Sequence, residues 1–245
     1  MNDQGGERMT ISSRQQQILD ILHDNPDTTV AGFAAMLSVS EPTVRRDLAE
    51  LDRRGLVTRV YGGAKLNLGA ADSVIPFLVR EQEKSAAKVE MGRRAAEYVR
   101  DGMVVMLDAS TSAYYIVPYL AKFKDLIVIT SGAKTAVALA EANIRTLSCG
   151  GEMIIHSFSY VGEQAESFVR KINADVLFFS CRGLSEDGRM TEVSVEEANL
   201  RRVMMEQSRT KILLCDGSKL GRTYFYNMGS VDEVDAVISN GELPW

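Results

Sequence analysis

The sequence has few of the residues that mark disulfide-rich or metal-binding proteins. Its 245 residues include three cysteines, one tryptophan and two histidines. The cysteines, at positions 149, 181 and 215, form no CxxC pair, so neither a zinc ribbon nor a thioredoxin-like motif is supported. Each lies in or beside an apolar run, as expected of a buried, free cysteine in a reducing cytosol.

Long apolar runs are also missing. No stretch approaches the ~18 residues that span a bilayer, and residues 1–10 are polar and charged, without the apolar segment of a secretory signal. Neither His23 nor His156 has a cysteine or acidic cluster beside it at ligand spacing. We therefore expect a cytoplasmic protein without membrane contact, metal or cofactor.

An excess of basic residues is lacking too, because the formal net charge is −5. That total alone would argue against a nucleic-acid partner. The charge is uneven, however: residues 41–65 hold six Lys/Arg and four Asp/Glu, so a basic face can exist locally. A hydrophobic content of 45% and 25% charged residues are typical of a globular protein, and the length suggests one large domain or two ordinary ones.

The first 64 residues predict a small helical domain. Three apolar stripes at helical spacing indicate three helices, and Ser40 followed by Pro42 is a start signal for the third. Beyond Gly55, Leu56–Val60 and the residues after Gly62-Gly63 predict a hairpin. Helix, short turn, helix and hairpin are the outline of a winged helix-turn-helix. The stripes are Ile18, Ile21, Leu22; Phe33, Ala34, Leu37; and Val44, Leu48, Leu51.

The third predicted helix carries polar side chains opposite its apolar stripe. Arginine can hold guanine through two hydrogen bonds, and hydroxyl or further basic groups suit bases and phosphates. The alternative is that these residues are the solvated side of an amphipathic helix. The predicted DNA-contacting residues are Ser40, Glu41, Thr43, Arg45, Arg46, Arg53, Arg54 and Arg59, with Gly62 and Gly63 at the wing tip and Lys65 beyond it.

From about residue 100 onward, short apolar runs alternate with helical stretches. Continuous apolar runs fit strands buried on both faces, as in a parallel sheet covered by helices, so an α/β domain is predicted. A helix is expected near residues 84–100, with Tyr98 on its inner face. The domains predicted are 1–64 and 80–245, joined by a linker over 65–79. The runs are Met103–Leu107, Leu126–Ile129, Val176–Phe179, Ile212–Cys215 and Ala236–Ile238.

Polar residues follow several of these strands. Ser110, Thr111 and Ser112 open a helix predicted to run through Leu120, and hydroxyls with free backbone N–H groups can bind an anion such as phosphate. The alternative is that a hydroxyl merely caps the helix. Ligands in open α/β sheets gather at the carboxyl ends of the strands. Further candidates there are Lys219, Thr130, Ser131, Gly150, Gly151 and Arg182.

Both regions resemble one family. Residues 37–48 (LSVSEPTVRRDL), with Gly55-Leu-Val and Arg59-Val-Tyr-Gly-Gly-Ala64, resemble the DNA-binding signature of DeoR-family transcriptional regulators. A second resemblance, to the DeoR-type sensor domain, is carried by residues 108–111, 130–131, 150–151, 161–162, 188–191 and 216–219. Arg80 and Lys88 match the segment that leads into that domain. Departures from the family pattern are Tyr61, where histidine is common, Ala109 for glycine and Ser131 for asparagine.

This resemblance implies an α/β sensor domain similar in fold to ribose-5-phosphate isomerase, behind a winged helix-turn-helix. It implies a phosphosugar effector, with Ser110, Thr111, Ser112 and Lys219 around the phosphate and Asp108 on sugar hydroxyls. Tyr61 would add a polar tip to the wing. The expected partners are operator DNA, the effector and further copies of the chain in a dimer or tetramer.

Two functions follow from these expectations. The first is a transcriptional regulator, expected to be a repressor of sugar-metabolism genes and not an enzyme. The alternative is a sugar-phosphate isomerase-like enzyme with an accessory DNA-binding domain, which needs a general base. The acidic candidates Glu192, Glu196 and Glu197 stand at helical spacing with Arg201 and Arg202, so a solvated helix face explains them equally well.

Overall fold

The computed structural model describes residues 13–25, 27–53, 57–66, 77–82 and 85–243. The chain forms two compact units, and the boundary between them falls between Val79 and Arg80. Both ends of the predicted linker belong to regular elements, because residues 65 and 66 lie in a strand and residues 77–79 in a helix. The middle of the linker, residues 67–76, lies outside the described residues, as do Arg54 and Gly55.

The first unit is a helical domain with a hairpin, as predicted. The three predicted stripes meet in one core, in which Ile18, Leu22 and Phe33 pack with the inner residues of the third helix. The elements are α1 (Ser13–Asp24), α2 (Val30–Leu37), α3 (Glu41–Arg53), β1 (Val57–Val60) and β2 (Gly63–Leu66).

A short turn sets α3 against α2. Ser38 adopts a left-handed conformation with φ of 54°, and its N–H bonds to the carbonyls at the end of α2. The helix α3 then starts where the carbonyl of Ser40 accepts the N–H groups of Thr43 and Val44, at 3.0 and 3.1 Å. Pro42 fits this first turn because its missing N–H would have had no helical partner.

The hairpin is tied to the start of α2. Strands β1 and β2 are antiparallel and turn through Tyr61-Gly62, where Gly62 has φ of 83°. The carbonyl of Gly62 accepts the N–H of Val30 at 2.8 Å. A Cβ at Gly63 would lie 2.9 Å from the carbonyl oxygen of Thr28, so this close approach requires glycine.

The second unit is built on a parallel six-stranded sheet, which confirms the predicted fold class. From edge to edge its strands are β13 (Ala236–Ile238), β11 (Ser208–Leu214), β8 (Ala174–Phe179), β3 (Val104–Leu107), β4 (Ile127–Thr130) and β5 (Arg145–Ser148). Every neighbouring pair is parallel. Successive residues of β8 feed two cores on opposite faces, as Leu177 and Phe179 pack on one side and Val176 and Phe178 on the other.

Helices cover both faces of this sheet, and two of them differ from the prediction. The helix expected near residues 84–100 ends at Ala95 and tightens into a 3₁₀ turn, which leaves Tyr98 exposed and buries Val99 instead. The helix expected through Leu120 is two short helices, because Pro118 cannot donate the helical bond. Helix α4 (Phe77–Gln82) crosses the boundary between the two units. The helices of the second unit are α5 (Ser85–Ala95), α6 (Thr111–Tyr114), α7 (Val117–Leu120), α8 (Ala133–Glu141), α9 (Glu163–Val169) and α10 (Val195–Glu206).

Two small antiparallel sheets complete the second unit. Strands β6 (Glu152–Ile154) and β7 (Ser159–Val161) form a hairpin, and β12 (Tyr226–Ser230), β10 (Arg189–Glu192) and β9 (Gly183–Leu184) form a three-stranded sheet. None of these strands is predicted by the apolar runs of the sequence. They are short, and most lack a continuous apolar run.

Gly92 allows α5 to lie directly against the break between α6 and α7. A Cβ at this position would lie 2.3 Å from the carbonyl oxygen of Tyr115, which is backbone and cannot rotate away. We expect Gly92→Ala to destabilise the second unit by about 1–3 kcal/mol, the usual cost of overpacking. Urea unfolding measures this, with Arg93→Ala, an exposed neighbour on the same helix, as control. A Gly92→Ala variant as stable as the Arg93→Ala variant would contradict the assignment.

Candidate functional site

The outer face of α3 is polar and partly basic, as predicted. Glu41, Arg45 and Arg46 are exposed, while Val44 and Leu48 point into the core. Arg45 donates to Glu41 over 3.1 Å, an exposed pair at helical spacing. Pairs of this kind contribute little to stability, so both side chains can turn to another partner.

Asp47 of α3 does not belong to the exposed polar face of this helix. It is buried, and its carboxylate accepts two hydrogen bonds from Arg14 of α1, at 2.5 and 3.3 Å. This ion pair fastens α3 to α1 across the small domain. The carboxylate is therefore held away from the exposed face, which leaves Arg45 and Arg46 with less acidic charge beside them.

The ends of α3 and the wing supply further polar groups. The hydroxyl of Ser40 lies 2.9 Å from that of Thr43, so both sit together at the start of the helix. Arg53 pairs with Glu50 at the other end. On the wing, Arg59 and Tyr61 are exposed, and the Tyr61 ring is fully accessible. A helix flanked by an exposed wing can contact a groove and the adjacent backbone of DNA.

The second candidate site lies where the central strands end. Because β11, β8, β3 and β4 are parallel neighbours, the loops after them meet at one edge of the sheet. The loop after β3 holds Ser110, whose hydroxyl accepts the N–H of Ala113 at 3.1 Å. Ser110 therefore caps α6, as the alternative reading of this residue expected. Thr111 and Ser112 are buried beside it.

Asp108 is fully buried under this loop. Its Oδ1 accepts the N–H and the hydroxyl of Ser110, at 3.0 and 2.5 Å, and its Oδ2 accepts the N–H of Ser180 at 3.1 Å. Oδ2 also accepts Nε of Arg201 at 2.8 Å. Four donors use the acceptor capacity of a carboxylate. The side chain thus supports the loop from below.

Lys219 lies at the same edge, after β11. Its Nζ donates to the hydroxyl of Ser180 at 2.5 Å and lies 3.9 Å from Asp216. Burial raises the pKa of Asp216, but Lys219, the Ser218 hydrogen bonds and Lys88 together hold it below its ordinary value. Lys219 thus forms the ion pair with this carboxylate, and Lys88, whose Nζ donates to the carbonyl of Arg80, adds a second positive charge in its surroundings.

Four other residues predicted to line the site, Thr130, Ser131, Gly150 and Gly151, shape the loops that follow the strands. Thr130 and Ser131 are buried, and the Thr130 hydroxyl accepts the N–H of Gly132 at 3.0 Å. Gly150 and Gly151 have φ of 65° and 102°, and a Cβ at Gly151 would lie 2.4 Å from the carbonyl of Val161. These glycines allow the chain to turn into the β6–β7 hairpin.

A buried charge network lies next to Asp108, and sequence reasoning missed it. Arg201 contacts Glu192 at 2.9 Å and Glu197 at 3.7 Å, and its side chain is 7% exposed. The solvated-helix reading is therefore wrong for Glu192, Glu197 and Arg201, although Glu196 is exposed. Glu192 belongs to β10, so it is not on the helix at all.

Arg80 and Arg182 extend this network. Burial and then the positive charge of Arg182 lower the pKa of Arg80, while Glu197 and Glu192 act in the opposite direction. The predicted site residue Arg182 is thus brought close to Arg80, which the sequence had placed only on the approach to the domain.

Two family models match the chain. A model of the DeoR-like helix-turn-helix domain matches residues 14–68, and a model of the DeoR C terminal sensor domain matches residues 83–241. The second match alone covers more than half of the sequence. The chain belongs to the DeoR family of transcriptional regulators.

Relatives of this DeoR-family protein match it over nearly its full length. The HTH-type transcriptional regulator YulB of Bacillus subtilis is 33% identical, over 96% of this chain and 91% of its own. A putative aga operon transcriptional repressor of Escherichia coli O157:H7 is 31% identical, with coverages of 98% and 90%. The L-fucose operon activator of E. coli K12 is 30% identical, with coverages of 94% and 95%.

Among solved structures, the DeoR-family chain is similar to a D-ribose-5-phosphate isomerase in complex with phospho-erythronic acid. The TM-score is 0.43 at 14% identity, over 56% of this chain and 54% of the other.

All three cysteines are free and buried, as predicted. Within the described part of the chain there is no group of three or more His, Cys, Asp or Glu side chains that could hold a metal ion. No described helix has both the length and the apolar character that a membrane span requires.

Proposed function

We propose that this protein is a cytoplasmic repressor of sugar-metabolism genes, released from its operator by a phosphorylated sugar. The single observation that carries the proposal is the exposed, basic face of α3 beside an exposed wing, in a chain that also holds a cation-lined site at the strand ends of its sensor domain. Relatives named for the aga and L-fucose operons support sugar metabolism as the regulated process.

Arg45 and Arg46 are the proposed base-reading residues. Both are exposed in the first half of α3, the part of a recognition helix that enters the major groove. Ser40, Thr43 and the arginines at the end of the helix and on the wing would hold phosphates and fix the position of the helix. Glu41 is placed to accept from a cytosine amino group.

The local positive charge is small, so one copy would bind DNA weakly. Two copies on a palindromic or repeated operator would place two α3 helices in successive major grooves and add their contacts. We therefore propose a dimer or tetramer as the DNA-binding form. Its binding should fall steeply with salt, because each phosphate contact releases counterions.

The effector site that we propose lies around the loop after β3. Lys219 and the hydroxyls of Thr111 and Ser112 would face the phosphate, while the Ser110 hydroxyl, whose one proton is donated to Asp108, would hold the loop in place. The Ser112 hydroxyl is buried and has no hydrogen-bond partner among the described residues, a costly state that a phosphate oxygen would relieve. Asp108 is assigned to support of the loop, not to the sugar hydroxyls, since its four acceptor positions are used.

The isomerase alternative receives no support from the acidic candidates. A general base works best with a pKa near neutral pH. Burial raises the pKa of Glu197, but Arg201 and Arg80, with hydroxyls nearby, outweigh it and lower the pKa. Glu192 is bound by Arg201 at 2.9 Å. Both carboxylates are therefore occupied by cations, and we propose that the protein is not an enzyme.

A gel-shift assay tests the proposal. The probe is the DNA immediately upstream of the gene for this protein, at low salt, with and without a panel of phosphosugars. The expected result is a shifted band that one phosphosugar abolishes. Unchanged mobility under all these conditions contradicts the DNA-binding proposal. A phosphosugar that strengthens the shift contradicts the proposed direction.

The Glu41–Arg45 pair gives a prediction of its own. Glu41→Gln removes a negative charge from the face proposed to meet phosphates and frees Arg45. We expect affinity for non-specific DNA to rise by about fivefold at low salt, which corresponds to ~1 kcal/mol for one unit charge. Fluorescence anisotropy with a scrambled duplex measures this, and Glu196→Gln, an exposed acid in the sensor domain, is the control. Equal effects of the two changes would show that only net charge matters.

A further inference from the structure

Arg201 makes three ion pairs in the interior of the sensor domain. Its guanidinium reaches Asp108 at 2.8 Å, Glu192 at 2.9 Å and Glu197 at 3.7 Å. The three acids come from three elements: the end of β3, the strand β10 and the helix α10 that carries Arg201 itself. One side chain therefore joins the central sheet, the small three-stranded sheet and a covering helix.

The contact with Asp108 connects Arg201 to the loop after β3. The carboxylate of Asp108 holds Ser110 by its N–H and its hydroxyl, and Ser110 in turn caps α6 through the N–H of Ala113. It also holds the N–H of Ser180, the residue whose hydroxyl receives Lys219. Two successive hydrogen bonds thus connect Arg201 to Ser110, and three connect it to Lys219.

Such a network is an expensive way to gain stability. Taking several charges out of water costs free energy that ion pairing only partly returns, and apolar replacements are often as stable. A guanidinium is planar and fixed in shape, so three carboxylates around it are fixed in direction as well. Burial lowers the pKa of Arg201, but Glu192 and Asp108 more than offset this, so the cation stays charged.

We propose that Arg201 is the positioning residue of the effector loop: through Asp108 it holds Ser110–Ser112 and Ser180 in the geometry that receives a phosphate. The inference rests on the effector site proposed above. It assigns Arg201 no contact with the ligand. Glu192 of β10 binds the same guanidinium, so a shift of the three-stranded sheet would also move the loop after β3.

The neighbour of Arg201 is a matched control. Arg202 also pairs with one acid, Glu233, but both side chains are more than a third exposed. Arg202→Met removes an arginine from the same helix without touching the network. The informative variants are Arg201→Lys, which keeps the charge but cannot reach three acids at once, and Glu192→Gln/Arg201→Met, which removes a cation and an anion together and so limits the charge imbalance.

The first measurement needs no ligand. Hydrogen–deuterium exchange of the full-length protein reports on peptides that cover residues 108–116 and 178–182. We expect exchange there to be about tenfold faster in the double variant and intermediate in Arg201→Lys, with the wild-type rate in Arg202→Met. A wild-type rate in both Arg201 variants overturns the inference. If the double variant does not fold, Arg201→Lys decides the question.

The second measurement uses inorganic phosphate as the probe, by calorimetry. Weakening by about 10- to 100-fold is the usual cost of losing a supporting partner of a bound-ion site. We expect this loss in the double variant, partial rescue in Arg201→Lys and none in Arg202→Met. Equal phosphate affinity in wild type and both Arg201 variants overturns the inference. If wild type binds no phosphate, the proposed effector site fails, while the exchange experiment still decides whether Arg201 orders the loop.

Discussion

Replacing Arg46 with alanine is expected to weaken operator binding by about 5- to 150-fold, the cost of ~1–3 kcal/mol for one lost base contact. Arg46 is exposed on α3, so its removal leaves no buried charge behind. The core residues Val44 and Leu48 and the Arg14–Asp47 pair stay in place. The change is therefore expected to act on the proposed DNA interface and not on the fold.

The pattern of the loss separates a base contact from a phosphate contact. A base contact predicts that the operator loses more affinity than a scrambled duplex, whereas a phosphate contact weakens both equally and reduces the salt slope by about one. Fluorescence anisotropy at several salt concentrations gives both quantities. Arg170→Ala, an exposed arginine of the sensor domain, is the control. Operator affinity equal to that of the control would remove Arg46 from the interface.

The helical domain could be read from the sequence because its core depends on local spacing. Val44, Leu48 and Leu51 recur at helical intervals, and each is buried in the structure. Asp47 shows the limit of this reasoning. As a carboxylate it is expected to face solvent, and it is buried only because it pairs with Arg14, 33 residues away in the chain. Long-range partners of this kind leave no periodic signal.

The parallel sheet was predictable for a similar reason. Strands buried on both faces, such as β8 and β11, give continuous apolar runs. The edge strand β5 gives no continuous apolar run, because its residues, Arg145–Ser148, are mostly exposed and of mixed polarity. Hydrogen bonds to β4 on one side define it, and these are set by the fold and not by side-chain type.

The charge network at Asp108 could not be predicted for a different reason. Glu197 and Arg201 are spaced as on a solvated helix, and nothing in that spacing distinguishes burial from exposure. The distinction comes from Asp108 and Glu192, which are far apart in sequence and meet Arg201 only in the folded sheet. Functional sites assembled from several strand ends likewise bring together residues that are far apart in the sequence.

Replacing Lys219 with methionine is expected to abolish the response to the effector while DNA binding remains. Methionine keeps the apolar stem of the side chain and removes the charge, so the loop after β11 should stay packed. A charge-assisted hydrogen bond is worth about 1.5–3 kcal/mol, so phosphate affinity should fall by roughly 10- to 150-fold. Calorimetry with inorganic phosphate measures the affinity, and the gel shift with the operator measures the response.

The outcome depends on the charge balance around Asp216. In the wild type, Lys219 offsets this buried carboxylate, and burial alone would raise the pKa of Asp216. Without Lys219, Lys88 and the N–H and hydroxyl of Ser218 still oppose that rise, but the cation of the ion pair with Asp216 is gone. A phosphate brought into the variant would therefore meet a neutral or negative site. Lys124→Met, an exposed lysine, is the control. Phosphate affinity in Lys219→Met equal to that of the control would place the anion elsewhere.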